Sequence, residues 1–245
     1  VKACIGIPPL DDYPYHAVIA GLSRLGYTCE PATVKHEADI LAVWSPWMGS
    51  YRQQLQILFA AAEKPVIVME NGWLSPMAHR PYYQIALDGW NGTGTFPAGG
   101  AERWASFGVH ESPWKIGGAY ELVIGQRGHP KDQRTAPPDW HMGLGFPADR
   151  QIVRRPRVTT RPLAADLAGA SVCHVWSSNA ASHAVVAGVP VIQHGPNLMV
   201  SAMASKPGDP IFRGERQPEL IRLAWAQWNL DEIRSGEPFA RLLRR

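Results

Sequence analysis

Glu70, in the run Glu70-Asn71-Gly72-Trp73, follows Val66-Ile67-Val68-Met69, an all-apolar stretch that reads as a buried parallel strand. A carboxylate delivered at the carboxyl end of such a strand, beside Trp-rich loops, has a raised pKa and can take the proton of an acceptor hydroxyl. A capping or salt-bridging glutamate is the structural alternative. Asp88, in Ala86-Leu87-Asp88-Gly89-Trp90, is the second catalytic candidate, to bind an acceptor or orient a neighbour; Asp-Gly is also an ordinary turn pair. Asp12 follows the first apolar run and is either an acceptor contact or a turn residue.

A second group of residues suits phosphate. Ser177-Ser178-Asn179 lies between the apolar run Val172-Cys173-His174-Val175-Trp176 and a small-residue helix that stops at Gly188 and restarts at Val189-Pro190-Val191-Ile192. Unpaired backbone N–H groups and the helix dipole at such a turn favour an anion. Gln126-Arg127 and Arg154-Arg155 each follow a strand of the same series, so both point to the same rim. Guanidinium forks there suit a diphosphate without a metal. A solvated basic face is the plainer reading of these arginines. His183, on the small helix, could touch phosphate or base, although a core or surface histidine is the plainer reading; with it the donor-side set is Gln126, Arg127, Arg154, Arg155, Ser177, Ser178, Asn179 and His183. The nine histidines show no metal-ligand spacing, so no metal and no tightly held cofactor is expected.

These groups need a scaffold, and the chain of 245 residues can bury one large core or two small ones. Helical spacing of Val18, Ile19, Leu22 and Leu25, strands at Ala3 to Ile7, Tyr27 to Glu30, Ile40 to Val43 and Val66 to Met69, and a helix over Gly49 to Glu63 give a β-α-β-β-α-β series. That pattern predicts a doubly wound parallel sheet. Tyr82 to Leu87 reads as a short strand and Glu102 to Phe107 as a short helix. A second α/β series follows Gly117-Gly118, with strands Tyr120 to Ile124, Gln151 to Val153, Val172 to Trp176 and Pro190 to Ile192. Glu219 to Trp228 reads as a helix. The expectation is an α/β fold of two Rossmann-like domains with a cleft between them, the GT-B architecture. The first domain spans 1–115 and the second 116–245, with the last helix packing back on the first. Periplasmic-type binding proteins and epimerases share the pattern.

A net charge of +3 is too small to argue for nucleic acid by itself. The three cysteines sit apart in apolar runs and read as reduced core residues, and no run is long enough to span a bilayer. A soluble, cytoplasmic protein without a membrane partner is expected.

Glu70-Asn71-Gly72-Trp73-Leu74, Arg80-Pro81-Tyr82-Tyr83 and Asp88-Gly89-Trp90 together resemble a pattern of capsule-polysaccharide Kdo transferases. Ser178-Asn179-Ala180 to Pro190-Val191-Ile192 is similar to their donor-side segment, and Ile152 to Pro156 to their strand ending in Arg-Pro. The Trp-rich segment from Trp225 to Arg245 also looks like small phage-encoded proteins, among which DNA glycosyltransferases share the two-domain architecture. The resemblance implies transfer of a sugar from a nucleotide-sugar, a UDP-sugar, to a hydroxyl, with Glu70 as base. The favoured acceptor is a 5-hydroxymethylpyrimidine flipped out of double-stranded phage DNA, with Trp44, Trp47, Trp73 and Trp90 stacking on the base or filling its place. The alternatives are a polysaccharide or glycolipid acceptor, or a non-catalytic module that binds DNA or a sugar nucleotide.

Overall fold

The structure, a computed structural model, describes residues 1–33, 37–45, 50–75, 81–125, 136–137, 140–145, 151–154, 160–196 and 198–243. The chain divides into two compact units, Val1–Val109 with Leu220–Arg245, and His110–Glu219.

The first unit opens with β1 (Lys2–Gly6), α1 (Tyr15–Arg24), β2 (Thr28–Pro31), β3 (Ile40–Trp44), α2 (Tyr51–Ala61) and β4 (Val66–Asn71). These four strands are parallel, and β1 lies between β2 and β3. Val66, Ile67, Val68 and Met69 are at most 1% exposed, because alternate side chains serve two cores. Ile67 and Met69 pack with Val18 and Leu22 of α1, while Val66 and Val68 pack with Leu55 and Phe59 of α2. Helix α2 starts where Ser50 Oγ accepts the Gln53 backbone N–H at 3.3 Å, an N-cap of the ordinary kind. β5 (Tyr83–Leu87) then runs antiparallel to β4, a reversal that a purely parallel expectation does not contain. The short α3 (Glu102–Ser106) follows.

The second unit carries β6 (Tyr120–Ile124), β7 (Gln151–Arg154), α4 (Leu163–Gly169), β8 (Ala170–Val175), α5 (Ala180–Val186) and β9 (Val191–Gln193). Its sheet is parallel throughout, in the order β7-β6-β8-β9. Both sheets therefore share one arrangement: the first strand is flanked by the second and third, and the fourth lies beyond the third. The order reverses beside the first strand, and open α/β sheets take their ligands at the carboxyl ends of the strands at such a point.

Within α6 (Gln217–Ala224), from Leu220 on, the chain returns to the first unit. The expected helix to Trp228 ends instead at Ala224, and β10 (Gln227–Trp228) pairs antiparallel with β5. Trp228 is fully buried, with the Arg103 guanidinium 3.8 Å over its ring. Arg103 also donates from Nε to Ala224 O at 3.0 Å and pairs with Glu232 at 2.9 Å. Helix α7 (Leu230–Ser235) opens on a capping box in which Asn229 Oδ1 accepts from Glu232 N–H at 3.1 Å and Glu232 Oε2 accepts from Asn229 N–H at 2.8 Å. Gly236 turns it into α8 (Glu237–Leu243). So Leu220–Arg245 belongs to the first unit, not only a last helix. Among the described residues no helix is long and apolar enough to cross a membrane.

Candidate active site

The carboxyl edge of the first sheet gathers polar and aromatic side chains from four strand ends. Glu70 is the fifth residue of β4, where the strand emerges from its core. The end of β3 runs alongside: Ser45 N–H donates to Met69 O at 2.7 Å, and the Ser45 hydroxyl donates to Glu70 Oε2. On the other oxygen, Glu70 Oε1 accepts the Asn71 backbone N–H at 2.7 Å and the Asn71 side-chain amide at 3.1 Å. Burial pushes the Glu70 carboxyl above its ordinary value, and the bonds from Ser45 and Asn71 pull against that shift. Among the described residues no lysine or arginine pairs with Glu70. Its carboxylate is thus held by neutral donors and keeps its basicity.

Gly72 follows because the chain must pass close to its neighbours. A Cβ there would sit 2.6 Å from Tyr82 O and from Gln227 Oε1, while its N–H donates to Tyr82 O at 2.9 Å.

Aromatic rings border this carboxylate. Trp44, 8% exposed, meets Tyr13 edge-on at 4.7 Å and Tyr83 at 6.3 Å. Because β5 is antiparallel, Tyr83 starts that strand opposite Asn71 and so lies at the same edge. Burial raises the Tyr83 hydroxyl pKa, and the negative charge of Asp12 adds to the shift. Arg52, in the first turn of α2, donates from Nε to Gly6 O at 2.8 Å and brings a cation to the end of β1.

The same reversal removes Asp88. β5 carries it back to the edge where β4 begins, and Val66 N–H donates to Asp88 Oδ1 at 2.9 Å while Asp88 N–H donates to Val66 O at 2.7 Å. Glu70 is four residues further along β4, roughly 13 Å at strand rise. Asp88 is a turn residue with φ of 58°, and it does not share a site with Glu70. Trp90 packs at that far edge against the Leu41–Val43–Leu55–Phe59 core. Trp73 is 1% exposed with its ring 6.2 Å from Trp104, a core residue and not a stacking platform. Asp12 and Trp44 do reach the Glu70 edge, Trp44 mainly as packing. Trp47 lies outside the described residues.

On the second unit, Gln126, Arg127 and Arg155 lie outside the described residues. Arg154, at the end of β7, is committed elsewhere: its guanidinium pairs with Asp166, which is 1% exposed, and donates to Arg161 O at 2.7 Å. Arg161 Nε also lies 3.2 Å from Asp166. A buried carboxylate demands such partners, and it fixes Arg154 as a structural cation. Ser177, Ser178, Asn179 and His183 share the β8–α5 turn and helix. Asn179 takes a helical backbone and its side chain caps nothing in α5; Ser178 Oγ instead accepts the Ala180 N–H at 3.2 Å.

Ser45, Tyr13 and Tyr83 escaped the sequence reading as site residues. The available signal was the Trp44-Ser45 pair directly after a buried strand adjacent to the one bearing Glu70. Glu121, His174 and His194 also join in a hydrogen-bonded row across the second sheet, with contacts of 2.7 and 2.9 Å. Among the described residues no cluster of three His, Cys, Asp or Glu could hold a metal.

Among solved structures the chain is similar to the beta Kdo 2,4 transferase of KpsC from Thermosulfurimonas dismutans, with 11% identity, a TM-score of 0.51, and coverage of 91% of this chain and 89% of that one. It also aligns with the beta Kdo 2,7 transferase of KpsC from the same organism, with 11% identity, a TM-score of 0.48, and coverage of 96% and 98%. The first likeness shows a shared two-sheet α/β fold. No family model and no curated protein sequence matches the chain.

Proposed function

We propose that this chain is a glycosyltransferase that moves a sugar from a nucleotide-sugar to a hydroxyl of a glycan acceptor, with Glu70 as the base. The acceptor oxygen bonds to the anomeric carbon, the bond from that carbon to the phosphate oxygen breaks, and the acceptor proton passes to Glu70. The observation that carries this reading is Glu70 itself: a largely buried carboxylate with raised pKa at the carboxyl edge of a parallel sheet, oriented by Ser45 and Asn71. Asp12, Tyr13 and Tyr83 beside it suit a hydroxyl-rich ring, since carboxylates accept from sugar hydroxyls and aromatic faces cover sugar C–H groups.

The acidic and aromatic character of this edge favours a glycan over DNA, whose phosphates Asp12 and Glu70 would repel. The Kdo transferase named for the fold neighbour supports the same choice. A UDP-sugar is the proposed donor, with Ser177, Ser178, Asn179 and His183 near its phosphates and with Gln126, Arg127 and Arg155 as further contacts. No metal is called on in this scheme. Labelled UDP-sugars incubated with oligosaccharides, with hydroxymethylated duplex and with plain duplex test the reading. Sugar on an oligosaccharide is expected; sugar only on hydroxymethylated DNA would replace the glycan with DNA. Binding of either without turnover would point to a binding module.

A further inference from the structure

We propose that Trp140, Trp176 and His194 form a stacking shelf on the second unit for a planar heterocycle that carries an N–H donor, as a nucleotide base does. This rests on the reading that the second unit holds a nucleotide-sugar. Trp176 is the residue after β8 and His194 the residue after β9; the strands are parallel, so both leave the sheet at its carboxyl edge. Their backbones stay joined beyond the ladder, with His194 N–H donating to Val175 O at 2.8 Å and Gly195 N–H donating to Trp176 O at 3.2 Å. Gly195 is required there, since a Cβ would come 2.4 Å from the Trp176 ring. Trp140 closes the group, its ring 5.0 Å from His194 and 5.8 Å from Trp176. All three residues are partly exposed.

The row behind the shelf sets the chemistry of His194. A carboxylate only accepts, so His174 Nε2–H donates to Glu121 Oε2 at 2.7 Å. His174 Nδ1 is then a lone pair, and it accepts His194 Nε2–H at 2.9 Å. His194 Nδ1 is left as an acceptor with no partner among the described residues, aimed away from the row. Glu121 and His174 are positioning residues: they fix the tautomer and the ring plane of His194.

A second observation points to the same place. The indole nitrogens of Trp140 and Trp176 and Nε2 of His141, a residue 8% exposed, are buried and unpartnered among the described residues. Buried ring N–H groups ordinarily find a partner. A base supplies what the cluster lacks: a flat partner for a ring face and an N–H for His194 Nδ1. Ser177 and Ser178 follow Trp176 directly, so a base on the shelf would bring its phosphates toward that turn.

Tryptophan fluorescence of the full chain titrated with UMP tests the shelf, with ribose 5-phosphate as the base-free probe. UMP is expected to quench and ribose 5-phosphate to bind far more weakly. Trp140→Leu and His194→Phe are each expected to weaken UMP binding about 10-fold or more. His194→Asn, which keeps an acceptor near Nδ1, should recover part of the loss, and Glu121→Ala, which removes the acceptor of the His174 Nε2–H, should weaken binding in protein that remains folded. UMP binding that survives Trp140→Leu and His194→Phe in folded protein overturns the shelf but leaves a nucleotide donor in place. Ribose 5-phosphate binding as tightly as UMP does the same. Failure of the unmodified chain to bind UMP at all overturns both.

Discussion

At Glu70 two effects oppose each other. Burial favours the neutral acid, while the hydrogen bonds from Ser45 and Asn71 favour the carboxylate, and burial wins. A base must be ionised, so transfer should fall as pH drops through the raised Glu70 value. Ser45→Ala removes one opposing hydrogen bond, and the acidic limb of the pH–rate profile should move to higher pH; Ser45→Thr should restore it. An unmoved limb in Ser45→Ala would mean that the serine does not tune the carboxylate. Stability carries the opposite sign. The folded protein holds the Glu70 proton more tightly than the unfolded chain, so the stability this group contributes is full below the ordinary value of 4.5 and is lost as pH rises through the raised one. Glu70→Gln should therefore unfold at higher temperature than the unmodified protein at pH 7, and the advantage should vanish near pH 4. The two histidines on the second sheet work the other way. Burial lowers both, His194 to about 4, so the unfolded chain takes up protons first as pH falls below 6.5. Thermal midpoints should decline from about pH 6.5 toward pH 4, and His194→Gln should flatten part of that slope.

At the scale of elements, Arg154 shows why position along a strand does not by itself assign a role. It stands at the carboxyl end of β7, where an anion-binding residue is expected, yet the buried Asp166 on α4 claims it. Arg154→Ala leaves that carboxylate with Arg161 as its remaining cation and should cost about 1.5–3 kcal/mol in a urea melt. A loss under about 1 kcal/mol would return Arg154 to the pool of anion-binding candidates. The parallel strands were legible in the sequence because continuous apolar runs such as Val66-Ile67-Val68-Met69 can only be buried on both faces. Strand direction was not. Tyr83–Leu87 has the same composition whichever way it runs, and its antiparallel pairing is what sends Asp88 to the far edge and brings Tyr83 to Glu70. Trp228 was hidden for a related reason: its spacing from Leu220 and Leu223 fits a helix, while its burial beneath Arg103 depends on contacts more than a hundred residues apart in sequence. Ser45 was visible only as a loop residue, since its partner lies on the next strand.

Across the whole molecule, two sheets of the same strand order carry different side chains at their carboxyl edges. The first presents Glu70, Ser45, Asp12 and Tyr83, and the second presents the Ser177–Asn179 turn beside Trp176 and His194. In the proposed function the acceptor binds at the first unit and the nucleotide-sugar at the second. Glu70 is the proposed base for the acceptor proton. The direct measurement is the rate of sugar transfer from a labelled UDP-sugar to an oligosaccharide acceptor, made with the unmodified protein and with Glu70→Gln. A fall in kcat of about 100-fold or more is expected, with nucleotide affinity unchanged. Transfer by Glu70→Gln at the unmodified rate would exclude Glu70 as the base.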